Sequence, residues 1–198
     1  MDPSRAAYLA APSILRTQKF VVAMSYAPAI ISTDFIDACL ERNELLDPTA
    51  FVLQDKANEK KLGISLALSR ERAKENRHLL LQGRTIYCME NIHGGFETFK
   101  SIVSANGGEC NQYKGRPSSR VASRRADMEV DATDDDSQNE VYLISGPEKE
   151  NFKLWSRFRQ MAEGCRKNPR IVSPDWLLEM AMCQKILPVD KYELRETA

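Results

Sequence analysis

The stretch ISTDFIDACLERNELLDPTAF (31–51) is restated in other residues by VSPDWLLEMAMCQKILPVDKY (172–192). A constant shift of 141 places Ser32 on Ser173, Asp34 on Asp175, Phe35 on Trp176, Leu46 on Leu187 and Phe51 on Tyr192, with no gap over 21 positions. Self-similarity of that length marks a repeated structural unit. Each copy opens on a short branched run, AIIS (29–32) or RIVS (170–173), near a proline, Pro28 or Pro169. Such runs read as buried strands of a parallel sheet. A helix start follows. Ser173 suits the N-cap, Pro174 the first helical position, and Asp175 sets a carboxylate at the positive helix end. Ser32, Thr33 and Asp34 take the same roles in the first copy. Phe35, Ile36, Cys39 and Leu40 then share one helix face, as do Trp176, Leu177, Met180 and Ala181.

The match continues upstream with a new shift of 134, which lays YLAAPSILRTQKF (8–20) over YLISGPEKENFKL (142–154). Each copy therefore reads strand, loop, helix, strand, helix, the helix of the second copy being about two turns longer. The second copy also has a front portion. RTIYCM (84–89) alternates like a strand, GGFETFKSIVSANGG (94–108) places Phe96, Phe99, Ile102 and Val103 on one helix face and ends on Gly107-Gly108, and ECNQY reads as a short strand. The fold class is α/β, with a central, mostly parallel sheet in each unit. The first copy lacks its first strand, helix and second strand, roughly 30 residues by comparison with the second. This reads as a fragment or a gene model that starts late, with strands borrowed from a partner as the less favoured alternative.

Composition narrows the function. The 198 residues are 42% hydrophobic and 28% charged, with 28 Lys+Arg against 28 Asp+Glu, so a generally basic nucleic-acid binder is not indicated. No apolar run reaches the ~20 residues of a membrane helix, and no leader pattern opens the chain. Cys39, Cys88, Cys110, Cys165 and Cys183 contain no CxxC pair, which argues against a zinc site. The odd, scattered set suits reduced thiols in the cytosol or nucleus, most of them expected to be buried. No nucleophile–base constellation, phosphate-binding P-loop or metal cluster is present, so no catalytic residue, metal ligand or cofactor is assigned.

The motif of an aromatic, three residues, then Cys on the last helix, FIDAC (35–39), with WLLEM (176–180) in the second copy, resembles the hallmark of the BRCT family. Phe35 for Trp and Met180 for Cys are apolar departures. The Gly107-Gly108 helix end matches too. The runs LAAPSILRTQKFVVAMSYAPAIISTDFI and YCMENIHGGFETFKSIVSANGG resemble the C-terminal tandem BRCT pair of PTIP-like fungal genome-integrity scaffolds. The resemblance implies tandem repeats, each a small, mostly parallel four-stranded sheet flanked by helices. The expected division is a partial repeat at 1–57, a partly helical linker at 58–79 and a complete repeat at 80–198 with a disordered insertion at 114–138. It further implies a nuclear scaffold of the DNA-damage response that binds phosphoserine proteins, notably the phosphorylated histone tail marking damaged DNA, and so meets chromatin indirectly.

A phosphoserine presents about −1.5 to −2 charge and three acceptor oxygens, so its reader needs a cation and neutral donors. RTQK supplies Arg16, Thr17 and Lys19 at a helix start. The second copy has Glu150 and Asn151 in place of Arg16 and Thr17, and a carboxylate repels phosphate, so the first copy is the expected site. The resemblance implies phosphate contact by Lys19 and peptide-backbone contact by Arg16, alongside residues of the front portion that the first copy lacks. The solvated helix start is the competing reading. His93 and Gly94 in NIHGGF (91–96), with Lys153, are groove candidates by the same resemblance; a tight turn and an exposed helix are the bland readings. Phe35, Cys39 and Trp176 are expected core residues.

NEKKLGISLALSRERAKENRHLLLQG (58–83) joins the copies, helical in its latter half, with Leu62, Ile64, Leu66 and Leu68 alternating as an extended stretch over apolar surface. KGRPSSRVASRR, five bases and no acid, then DMEVDATDDD, six acids and no base, give a bipolar disordered loop, with Ser118, Ser119 and Ser123 as weaker kinase-site candidates. The acid run argues against direct DNA binding. The alternative function is a phosphate-independent protein–protein interaction module.

Overall fold

The computed structural model describes residues 7–115 and 139–196. Most of the expected insertion, 116–138, and with it Ser118, Ser119 and Ser123, lies outside the described residues. The elements run β1 (Tyr8–Ala11), α1 (Gln18–Met24), β2 (Ala29–Ser32), α2 (Asp34–Arg42), α3 (Lys56–Leu62), α4 (Leu66–Asn76), β3 (Thr85–Met89), α5 (Phe96–Ala105), β4 (Glu109–Tyr113), β5 (Glu140–Ile144), α6 (Phe152–Gly164), β6 (Asn168–Val172) and α7 (Pro174–Cys183). Two compact units result. Residues 7–80 group with 178–187, and residues 81–177 group with 188–196.

The second unit carries a four-stranded, wholly parallel sheet in the order β4-β3-β5-β6. Parallel strands need crossover helices, and those helices cover both faces. Tyr87, Met89, Leu143 and Ile171 accordingly pack with Trp155, Phe158 and Ala162 of α6. The intervening residues Ile86, Cys88, Tyr142, Ile144 and Val172 are buried as well. Tyr142 stacks on Trp176 at 4.6 Å between ring centroids. The buried Trp155 indole N–H donates to Ser145 Oγ at 2.8 Å, which meets the need of an apolar ring for one polar partner. The turn after α5 requires glycine. Gly107 has φ +77°, and a Cβ on Gly108 would lie 2.8 Å from Leu81 Cβ and from Val103 Cγ1.

The first unit has only the parallel pair β1-β2, in the register Tyr8↔Ala29 to Ala11↔Ser32, with a single antiparallel bridge from Ile31 to Val52 among the described residues. Its α1 buries Phe20, Val21, Ala23 and Met24. The second copy's equivalents show what two strands fewer entails. Tyr142 is 2% exposed and Tyr8 43%; Leu177 is 0% exposed and Ile36 48%. Helix α2 buries no residue fully, so Phe35 and Cys39, expected in the core, are half-buried, while Trp176 is 1% exposed. Phe35 packs edge-on to Phe51 instead, 5.5 Å between centroids. At the start of α2 the N-cap is Thr33, without a side-chain bond; Ser32 Oγ accepts from Asp34 N–H at 3.2 Å.

Two further expectations are corrected. Leu62 to Leu68 is not extended: α3 ends on Gly63, which takes the left-handed conformation at φ +65°, and α4 starts within two residues, capped by Ser65. Local capping thus overrides the apolar alternation. Nor are the thiols mostly buried. Cys88 alone is; Cys165 is exposed and the others are half-buried, and none of the five forms a disulfide. The Cys110 thiol, 3.6 Å away, and burial push the Cys88 thiol well above its ordinary range.

Core truncation should separate the two equivalent aromatics. Trp176→Ala should cost about 3–5 kcal/mol in denaturant unfolding and Phe35→Ala less than about half of that, since the transfer and cavity contributions scale with burial.

Candidate functional site

Thr17 opens α1 as its N-cap. It has extended backbone (φ −76°, ψ 150°), and its hydroxyl accepts from Phe20 N–H at 3.4 Å. Threonine is suited to this place because its oxygen satisfies one of the helix's orphan amides. The buried Phe20 and Val21 turn one side of the helix inward, which leaves Arg16, Thr17 and Lys19 exposed on the opening turn. No acidic residue lies in that turn. The three residues are thus gathered on open surface, with two cations next to a hydroxyl.

The equivalent place in the second unit is arranged differently. A 3-10 turn (Lys149–Asn151) precedes α6, and Asn151 makes no side-chain cap. Its Nδ2 donates instead to Gly146 O at 3.1 Å and to Glu148 Oε2 at 2.8 Å. The neutral donor that replaces Thr17 is therefore engaged by a carboxylate, and Glu150 stands exposed beside it. Glu148 was not visible as a participant in the sequence, because its role depends on the turn that folds it back over Gly146.

His93 and Gly94 lie exposed between β3 and α5, where Gly94 has φ +95° and Gly95 φ +79°. A Cβ at Gly94 would touch Phe99 Cε2 at 3.4 Å, so the glycines serve the tight turn. Lys153 is exposed in the first turn of α6. All three sit at the ends of the parallel strands β3 and β5, within the second unit. Glu90 in the same region pairs with Lys114 at 3.4 Å.

The loop before α1 has a partner that local sequence did not reveal. Ile14 N–H donates to Asp55 Oδ2 at 2.8 Å. Asp55 also caps α3, accepting from Asn58 N–H at 3.2 Å and from Asn58 Nδ2 at 2.8 Å. The Asn58 side chain, then the Ile14 amide, hold its carboxyl below the usual range. The one local signal was the Asp55–Asn58 spacing of a capped helix start; nothing local points 41 residues back. A cleft of ≈430 Å³ in the same unit, lined by Tyr8, Tyr26, Pro28, Ile31, Val52 and Arg70, does not include Arg16 or Lys19. Among the described residues, no group of three or more His, Cys, Asp or Glu could hold a metal ion, and no helix is long and apolar enough to cross a membrane.

Comparison with known proteins gives two family matches, BRCT domain over residues 79–193 and Regulator of Ty1 transposition protein 107 BRCT domain over residues 1–53. BRCT-containing protein 1 of Schizosaccharomyces pombe is 28% identical over 191 residues, covering 93% of this chain and 20% of its own length. The chain thus spans about a fifth of that relative. The crystal structure of the S. pombe Brc1 BRCT5-BRCT6 domains superposes with a TM-score of 0.72 at 26% identity, covering 98% of this chain and 85% of that one. The complex of Rtt107p with a phosphorylated histone shares the fold, with a TM-score of 0.61 at 17% identity over 93% of this chain and 73% of that one.

Asp55 makes a pH prediction. Its folded-state carboxyl is more acidic than the ordinary value of 3.8. Its stabilisation is therefore complete above that pH and is lost as pH falls through the lower folded value. Acid unfolding of Asp55→Ala should show a shallower loss of stability below pH 3.8 than the unaltered chain, read by circular dichroism.

Proposed function

The chain belongs to the BRCT family, and from that premise we propose that it is a non-enzymatic, nuclear scaffold module of the DNA-damage response that reads a phosphoserine tail. The observation that carries the reading is the opening turn of α1, where Arg16, Thr17 and Lys19 are exposed together with no acid in the turn. Lys19 supplies the point charge for the phosphate, Thr17 a hydroxyl donor, and Arg16 a planar donor for the peptide backbone. The contrast with Glu148, Glu150 and Asn151 supports the first unit over the second, because two carboxylates there oppose an anion. His93, Gly94 and Lys153 are the residues we assign to peptide positions beyond the phosphoserine. We read 1–57 as the partial repeat, 58–79 as the linker and 80–198 as the complete repeat. The phosphorylated histone tail is the first ligand to try, following the structure of Rtt107p in complex with a phosphorylated histone.

A second reading rests on α2. Ile36, Leu40 and Leu45 are 48%, 74% and 84% exposed, an apolar surface on and just after the helix that suits phosphate-independent protein packing.

Fluorescence anisotropy with a phosphoserine histone-tail peptide and its unphosphorylated twin separates the two. The phosphate reading expects binding of the phosphorylated peptide alone, weakened about 10- to 100-fold in Lys19→Ala, the loss expected for one charge-assisted hydrogen bond. Equal binding of both peptides, or no effect of Lys19→Ala, would overturn it.

A further inference from the structure

Residues 12–17, which lead into α1, belong to no helix or strand, yet Arg16 and Thr17 must stand at a fixed place if they are to meet a phosphopeptide. Ile14 ties this loop to the first unit in two ways. The Ile14 side chain is buried, at 5% exposure, and its backbone N–H donates to Asp55 Oδ2 at 2.8 Å. Asp55 is itself fixed. It caps α3, its Oδ1 accepting from Asn58 N–H and its Oδ2 from Asn58 Nδ2. The far end of α1 is held from the same side of the sequence. Arg70 Nε donates to Ala27 O at 3.1 Å, and His78 Nδ1 lies 2.7 Å from Ser25 O. Since a carbonyl only accepts, that ring nitrogen carries a hydrogen. The His78 ring lies 4.5 Å from that of Tyr26. The segment 55–78 therefore grips the chain before α1 and after it.

The geometry points to Asp55 as a positioning residue for the phosphate-reading turn, acting through the Ile14 amide two residues before Arg16. This deepens the proposed function and rests on it. A side chain that binds a ligand through fixed donors works only while its supporting shell holds it in place. Without the carboxylate, the Ile14 N–H loses its acceptor, and a loop outside any helix or strand loses the hydrogen bond that ties it to the N-cap of α3. Arg16 and Thr17 would then be ordered at the moment of binding, and that ordering entropy is subtracted from the affinity. Arg70 and His78 act on the end of α1 remote from the cations, so they hold the helix without setting the turn.

The test uses the full chain with the phosphoserine histone-tail peptide and four variants. Asp55→Ala should weaken phosphopeptide binding about 5- to 20-fold and shift the Ile14 backbone amide signal in NMR, with the folded baseline retained at the assay temperature. Asp55→Asn, whose side-chain oxygen can still accept from Ile14 N–H, should recover affinity to within about threefold and return the amide signal toward its original position. Asn58→Ala removes a partner of Asp55 without touching Ile14. Arg70→Ala removes a hold on the far end. Both should lower the melting temperature while leaving affinity within about twofold, which separates positioning from general stability. Full affinity in Asp55→Ala with a displaced Ile14 amide overturns the inference alone. So does a loss of affinity of equal size in Asn58→Ala and Arg70→Ala. No phosphate preference in the unaltered chain overturns the proposed function, and this inference with it.

Discussion

Parallel strand pairing imposes the condition on which the rest of this chain depends. Two parallel strands cannot be joined by a short turn, so each pair brings a crossover helix, and the sheet must then be covered on both faces. The second unit meets that condition in full. Its alternating residues go to α6 on one face and to the Trp176 side on the other, and the central strand positions Ile86, Cys88, Leu143 and Ile144 are inaccessible to solvent. The first unit meets it in part. One crossover helix joins two strands, the α1 face is buried, and α2 keeps Ile36 and Leu40 at the surface.

The same condition places the candidate chemistry. In each unit the loop from a strand to its crossover helix emerges at the strand's C-terminal end, where ligand sites of open parallel sheets lie. In the first unit this is the turn of Arg16, Thr17 and Lys19; in the second it is the turn of Glu148, Glu150, Asn151 and Lys153. The backbone plan is shared, and the side chains diverge. One turn presents cations and a hydroxyl, while the other closes an amide onto a carboxylate 2.8 Å away. Two copies of one unit can therefore carry different roles without a change of fold, as grafted sites on a common scaffold do.

The segment between the copies is more than a spacer. Asp55, just before it, caps the helix that leads into it and takes the Ile14 amide. The segment's second helix supplies Arg70 to Ala27 and, with Asn76, reaches Gln184 O at 2.9 Å, while Arg72 reaches Cys183 O at 3.3 Å. The last two contacts give donors to carbonyls at the end of α7, where a helix leaves its carbonyls without a partner of its own. This explains why residues 178–187 group with the first unit.

The repeat, the α/β class, the order of strands and helices, and the cluster of Arg16, Thr17 and Lys19 were legible in the sequence because they rest on local spacing. Branched runs, capping residues and a 3.6-residue apolar period act within a few residues of chain. The burial of Phe35 and Cys39 was not legible, since it depends on what covers α2 and not on the apolar face that both copies share. The alternation from Leu62 to Leu68 misled for a related reason: a left-handed Gly63 and a Ser65 cap decide the backbone there, and the leucines follow it. Asp55 and Glu148 were invisible in their roles, one because its partner is 41 residues distant, the other because its carboxylate reaches Asn151 only after the turn has formed. Sequence alone determined the strands and crossover helices of the two copies and which turn carries the cations. Tertiary structure decided which side chains are covered and which distant carboxylate holds that turn, because burial and long-range hydrogen bonds exist only once separate stretches of chain have come together.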